Sequence, residues 1–310
     1  MIRELDAATA PLDDLLAIHA VEQACHAESF PGEPGRSADD AVAYLRHATA
    51  SYDRYRWLAG DTGTAGLYVH APNAVYLQLY VAPAHTRRGI GTALLAAVRE
   101  RTASLGLTSL YGHHTTPAGA AFASRARAID GQRDIRSLLG LPHASLPEPS
   151  VPDGWTLVTW TGRVPDDAVG AYVAARAALD DAPMPDGVEI PVETVERVRA
   201  LEDALARRRR ESRVTAALDR DGRVGSFTYL GLSHGSTVAD TSDTATVAGA
   251  RGLGLARAVK LESLRRLRHD HPEVELVTTT NAEENVAIRH ITEQLGFTAA
   301  ATFTSTVLTL

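Results

Sequence analysis

A chain of 310 residues is long enough for two domains that each bury a core, and 45% hydrophobic with 22% charged residues is the balance of a chain that folds. A net charge of −7 argues against a nucleic-acid partner, and the single cysteine, Cys25, allows neither an intrachain disulfide nor a cysteine-based metal site. No apolar run approaches the ~18 residues of a membrane span, and the acidic start MIRELDAATAPLDD lacks the basic-then-apolar order of a signal peptide, so the expected setting is cytoplasmic, with no membrane partner.

Residues 2–5 predict a short strand. Residues 11–24 carry Leu12, Leu15, Leu16, His19 and Ala20 at helical spacing, and 28–37 read as a turn-rich loop. A second helix is expected over 38–48, with Ser37 as its cap and Asp39 and Asp40 in its first turn. Three antiparallel strands follow at 56–59, 65–70 and 75–81, separated by turns at Asp61-Thr62-Gly63 and Ala71-Pro72-Asn73. A helix over 89–104 presents Ile90, Ala93, Leu94, Ala97 and Val98 as one stripe, then come a strand at 108–111, a helix at 118–127 and a strand at 134–141.

Residues 142–153 hold four prolines among small polar residues and no periodic pattern, which reads as a linker. The second half then repeats the order of the first. It predicts a strand at 155–160, helices at 166–179 and 192–210 around a loop at 180–189, and strands at 214–218, 223–232 and 237–246. A helix running to about 269, a strand at 274–279, a helix at 282–295 and a last pair of strands within 297–310 complete it.

Both halves place a glycine loop between a strand and a helix. In the second half the loop is Arg251-Gly252-Leu253-Gly254-Leu255-Ala256-Arg257, and in the first Thr86-Arg87-Arg88-Gly89-Ile90-Gly91-Thr92. Gly89 and Gly254 are 254 − 89 = 165 positions apart, about half the chain. The N–H groups of a helix's first turn lack intrahelical partners and sit at the positive end of its dipole, so such a loop is suited to an anion. Glycine removes the Cβ that would keep a pyrophosphate away, and Arg251 adds a permanent positive charge.

The order β, α, α, three antiparallel strands, glycine loop, α, β, α, β, found twice, resembles the GCN5-related N-acetyltransferase (GNAT) family over essentially the whole chain. The family signature, Gln/Arg-x-x-Gly-x-Gly/Ala after the fourth strand, is matched in full by Arg251, Gly254 and Ala256; the first half has Gly89 and Gly91 but Thr86 in the Arg/Gln place. Asn285 and Leu295-Gly296-Phe297 match the family's Asn…Gly-Phe spacing further on. The tandem layout is similar to that of mycothiol synthase and other paired acetyltransferases of actinobacteria. The resemblance implies an α/β (α+β) fold of two tandem GNAT domains, each a mixed, mainly antiparallel twisted sheet flanked by helices. The expected boundaries are 1–143 for the N-terminal domain, 144–153 for the linker and 154–310 for the C-terminal domain.

The resemblance also implies acetyl-CoA as cosubstrate, its pyrophosphate on the N–H groups of residues 252–257. Its carbonyl would be held by backbone at Thr244, Ala245 and Thr246, or in the first half at Leu79, Tyr80 and Val81. The implied partner is a small-molecule amine acceptor. The family's usual tyrosine acid, four residues before Gly-Phe, is replaced by Thr292, a far weaker acid. Asp243 beside the loop and Asp181, with Asp180 and Asp186, in the loop between the first two helices of the second half are the carboxylates available to hold or deprotonate an amine. His113 and His114 read as surface residues, and no metal is implied. The expectation is catalysis in the second half. A non-catalytic acetyl-CoA-binding or interaction protein is the alternative, favoured by the missing tyrosine and by Thr86.

Overall fold

The computed structural model describes residues 1–47, 52–71, 74–181 and 192–310. The expected turn at Pro72 and Asn73, and residues 182–191 with Asp186, lie outside the described residues. The chain forms two compact units: described residues of 1–133 with 301–310, and of 134–181 with 192–300.

In the first unit the strands run β1 (Arg3–Leu5), β2 (Asp53–Leu58), β3 (Gly63–Ala71), β4 (Ala74–Val81), β5 (Ser109–His114), followed by the C-terminal β12 (Thr298–Thr309). β1 to β4 pair antiparallel in sequence, β4 meets β5 in parallel, and residues 304–309 of β12 pair antiparallel with β5. Helices α1 (Leu12–Ser29), α2 (Ala38–Arg46), α3 (Ile90–Ser104) and α4 (Pro117–Arg125) flank this sheet. Ser37 caps α2 by accepting from Asp40 N, as its position predicts.

The α1 stripe is not the one expected. Leu15, Ile18 and Val21 are buried, while Leu12 and Leu16 are 53% and 37% exposed. The leucines set the wrong phase, because the inward face is continued by Ile18 and Val21 at i+3 spacing from Leu15. A second core holds Leu67, Leu94, Val98 and Leu110 together with Leu308 from the C-terminal strand.

In the second unit the order is β6, β11, β10, β9, β8, β7, where β6 is Ile129–Gly140, β7 Thr156–Thr161, β8 Arg210–Leu218, β9 Val224–Ser233, β10 Val238–Thr246 and β11 Leu276–Ala282. Residues 134–140 of β6 pair antiparallel with β11, and Leu139 joins the core of Leu230, Leu261, Leu264 and Val277. Four helices complete the unit: α5 (Val169–Arg176), α6 (Val195–Arg207), α7 (Leu255–Asp270) and α8 (Val286–Gln294).

Most of each half's last strand, residues 134–140 of β6 and 301–309 of β12, thus groups with the unit built mainly from the other half. The reason is backbone pairing: β5 and β11 would each otherwise present an open edge, and each is closed by a strand from the other half. The C-terminal segment, expected as two strands, is the single strand β12.

Candidate functional site

The two glycine loops share one backbone. Thr86 and Arg251 have φ, ψ of −62°, 160° and −67°, 153°, and Gly89 and Gly254, which cap α3 and α7, have 81°, −4° and 75°, 4°. Between them Arg87 and Gly252 are also left-handed, at φ 63° and 77°. Neither cap supplies a side-chain hydrogen bond, so the first-turn N–H groups are left for another acceptor. A Cβ on Gly89, Gly252 or Gly254 would meet nothing within 4 Å. Open space, free N–H groups and a helix N-terminus together suit a phosphate.

Other residues expected at the loops have different surroundings. A Cβ on Gly91 would stand 3.2 Å from the ring of Phe122, so this glycine serves helix packing. Arg88 Nη1 lies 3.4 Å from His85 Nδ1, and Thr92 is exposed; Ile90 and Leu255 are turned toward the cores. Leu253 is exposed, Ala256 and Arg257 are half-buried, and Arg251 Nε donates to Thr246 O at 3.3 Å.

The first unit contains a cavity of about 650 Å³ that joins its loop to the end of β4. β4 and β5 are parallel neighbours paired at one register position, Tyr76 with Tyr111. Beyond that rung the cavity is lined by Leu79, Tyr80 and Val81 on β4 and by His113 and His114 on β5, and Thr306 of β12 completes the wall. His114 Nε2 lies 3.2 Å from Asp130 Oδ1. On the α1 side Cys25 Sγ donates to Val81 O at 3.4 Å. Burial, aided by the charge of Glu28, pushes this thiol up to about 11, so it is protonated at neutral pH. Burial and then the charge of Glu22 likewise push the Tyr80 phenol above its ordinary value.

The same wall contains a group that sequence patterns did not single out. Arg56 of β2 is 1% exposed, and it stands opposite Gly66 of β3, whose missing Cβ would lie 2.8 Å from the guanidinium carbon. The guanidinium fills that space and donates from Nη1 to Glu22 Oε1 at 3.0 Å and from Nη2 to the Tyr68 hydroxyl. Tyr68 donates to Gln78 Oε1 at 2.9 Å, and Tyr44 donates to Tyr68 at 3.3 Å. Burial is the largest single influence on Arg56 and works against its charge, but Tyr68, Glu22 and Tyr44 together outweigh it and the group stays ionised. The second unit repeats the device, for a Cβ on Gly231 would strike the guanidinium of Arg210, which pairs with Asp240. For Arg56 the available sequence signal was a charged residue inside a strand with a glycine ten positions on.

In the second unit, β10 carries a bulge in which Ser242 and Asp243 oppose Tyr229 alone. These residues, with Tyr172 and Arg176, line a second cavity of about 240 Å³. Asp243 is not a free carboxylate: its Oδ2 accepts from Arg176 Nη1 at 3.1 Å, and Arg176 also donates to Glu193 at 3.0 Å and to the Tyr172 hydroxyl at 3.0 Å. Thr244 and Thr246 exchange hydroxyl hydrogen bonds with Thr228 and Ser226, and Ala245 O accepts from Ser226 Oγ at 2.9 Å. Thr292, expected as a stand-in acid, is 2% exposed and donates to Ile288 O at 2.8 Å. Asn285 caps α8, accepting from Ile288 N at 3.4 Å. The side chains of Asp180 and Asp181 are outside the described residues. No group of three or more His, Cys, Asp or Glu suited to a metal occurs among the described residues, and none of the described helices is long and apolar enough to cross a membrane.

Comparison with known proteins gives a consistent result. Residues 17–123 match the family described as Acetyltransferase (GNAT) family. The chain is 32% identical over 233 residues to the mycothiol acetyltransferase of Thermomonospora curvata, covering 72% of this chain and 70% of that protein. It is 30% identical over 218 residues to the mycothiol acetyltransferase of Clavibacter sepedonicus, covering 68% and 66%. The alignments thus span about two thirds of these relatives' length. Among solved structures, a tandem GNAT protein from the clavulanic acid biosynthesis pathway aligns with a TM-score of 0.85 at 25% identity, over 100% of this chain and 98% of that one.

Proposed function

The chain belongs to the GCN5-related N-acetyltransferase (GNAT) family and is an acyltransferase, and from that premise we propose that it transfers acetyl from acetyl-CoA to the amine of a small polar molecule in its first unit. The observation that carries this reading is the cavity of about 650 Å³, which runs from the open N-terminus of α3 to the end of β4 and the polar wall of α1. The Gly89 loop fits a pyrophosphate because nothing occupies the space above it, and the exposed Arg87 and Arg88 bring positive charge to its rim.

Acetyl-CoA, when bound, supplies an activated thioester whose acyl carbon is open to a neutral amine. The chain's own part is to hold that carbonyl with backbone at Leu79–Val81, where β4 has left β5, and to orient the amine from the α1 side. Cys25 and Tyr80, both kept protonated by burial, add no competing charge there. Activity requires no dedicated tyrosine acid, since thiolate can depart and take its proton from water.

A second reading puts acetyl-CoA on the second loop as well. It is favoured by the complete Arg251, Gly254 and Ala256 pattern and by the β10 bulge, which turns backbone out of the ladder at Ser242 and Asp243. Turnover of acetyl-CoA with a panel of small amines, read as released thiol, tests the main proposal. Release that depends on both the amine and acetyl-CoA is expected, and no amine-dependent release would overturn it.

A further inference from the structure

Glu22 lies on the inner face of α1 with its side chain 25% exposed toward the first-unit cavity. One oxygen, Oε1, is bound by Arg56, and the other makes no hydrogen bond among the described residues. The guanidinium that holds it is itself fixed, seated over Gly66 and tied through Tyr68 to Gln78 and Tyr44. This is a carboxylate pinned on one side and open on the other. An open carboxylate oxygen in a partly desolvated cavity is satisfied by a cationic donor.

Its place relative to the transfer point follows from the helix. Glu22 is three residues before Cys25, one turn or about 5–6 Å away, and the Cys25 thiol touches the Val81 carbonyl at the end of β4. The charge of Glu22 is felt at both Cys25 and Tyr80, which agrees with that proximity.

We infer that Glu22, positioned by Arg56, anchors a cationic nitrogen of the acceptor distinct from the nitrogen that is acetylated, so that the acceptor class is a diamine or a similar doubly nitrogenous small molecule. The assignment rests on placing transfer in the first unit. The chemistry requires two nitrogens for a simple reason. An ammonium that binds between the carboxylate and the cavity is favoured in its charged form by that opposite charge, and a protonated nitrogen has no lone pair for attack. In the transfer a C–N bond forms as the C–S bond breaks, and the proton lost by the attacking amine ends, through water, on the departing sulfur. The anchored ammonium takes no part in that exchange and stays charged throughout.

Linear α,ω-diamines of three to six carbons, each compared with the monoamine of equal length, provide the test. The wild-type chain should favour diamines by tenfold or more in kcat/KM. Glu22→Gln, which keeps an oxygen for Arg56 but loses the charge, should raise the diamine KM by more than tenfold and abolish the preference, with the acetyl-CoA Kd within twofold. Glu22→Asp should restore part of the preference. Equal turnover of diamines and monoamines by the wild-type chain, or a diamine preference that survives in Glu22→Gln, overturns the anchor. An equal fall in kcat for both amine types in Glu22→Gln also overturns it, making the residue a base instead. Transfer that persists in Gly89→Val identifies the other failure, that of the first-unit reading itself.

Discussion

Arg87 and Gly252 occupy the same place in their two loops, and both are left-handed, at φ 63° and 77°. For glycine this conformation is nearly free; for arginine it costs about 1–2 kcal/mol. The first loop therefore retains a strained cation where the second uses the residue that strain prefers, which fits the anion site proposed for that loop. Arg87→Gly should raise the thermal midpoint, weaken acetyl-CoA binding and flatten its salt dependence, measured by calorimetry at two ionic strengths. Unchanged binding would remove Arg87 from the anion site.

Thr292 and Asp243 are both engaged within the second unit, one with Ile288 O and the other with Arg176. Thr292→Val should change the transfer rate by less than about tenfold, below the ~10²–10⁴ of a general acid. Asp243→Asn should lower the thermal midpoint, because Arg176 loses one of its carboxylates, while kcat stays within about twofold. A thousandfold fall in either variant with acetyl-CoA binding intact would return the chemistry to the second half.

Lys260, the chain's one lysine, is 2% exposed in α7, and burial alone pulls its pKa down to about 8. Below pH 8 the lysine is charged in both folded and unfolded chains, and the cost of its burial is fully present. Between about 8 and the ordinary 10.5 the folded group has released its proton while the unfolded one keeps it, so stability rises with pH in that window. Lys260→Met should add on the order of 3 kcal/mol at pH 7 and flatten that rise. Denaturant titrations at pH 7, 8.5 and 10 measure it, and a mutant curve parallel to wild type would contradict it.

Leu308 lies in the first unit's core although it is nearly the last residue of the chain. Leu308→Ala should cost about 2–5 kcal/mol and weaken acetyl-CoA binding at the first loop. Residues 1–143 alone should fail to give a cooperative monomer, since β5 lacks its β12 neighbour. Size-exclusion chromatography and thermal melts decide this, and a well-folded monomeric fragment would contradict it.

The element order and the paired loops were legible because glycines at positive φ and alternating apolar residues are local signals. Gly89, Gly252 and Gly254 all lie at positive φ, the conformation that glycine-rich spacing at a helix start signals. Partners distant in sequence were not legible. Residues 134–141 read as a strand, but nothing local says that β11 is its neighbour, and Asp243 gives no sign of Arg176, 67 positions earlier. Gly91 looked like its neighbours yet faces Phe122, and nothing local marks Arg56, because its partners Glu22 and Tyr68 come from other elements.

The central claim is that acetyl transfer belongs to the first unit, and the most direct test is the transfer rate of Gly89→Val beside that of Gly254→Val. Both positions are left-handed helix caps with open space above, so each substitution strains and blocks its own loop to the same degree. With both variants shown to be folded by circular dichroism, Gly89→Val should lose at least a hundredfold in acetyl transfer and Gly254→Val less than fivefold. The reverse order, with Gly254→Val inactive and Gly89→Val near wild type, would contradict the account.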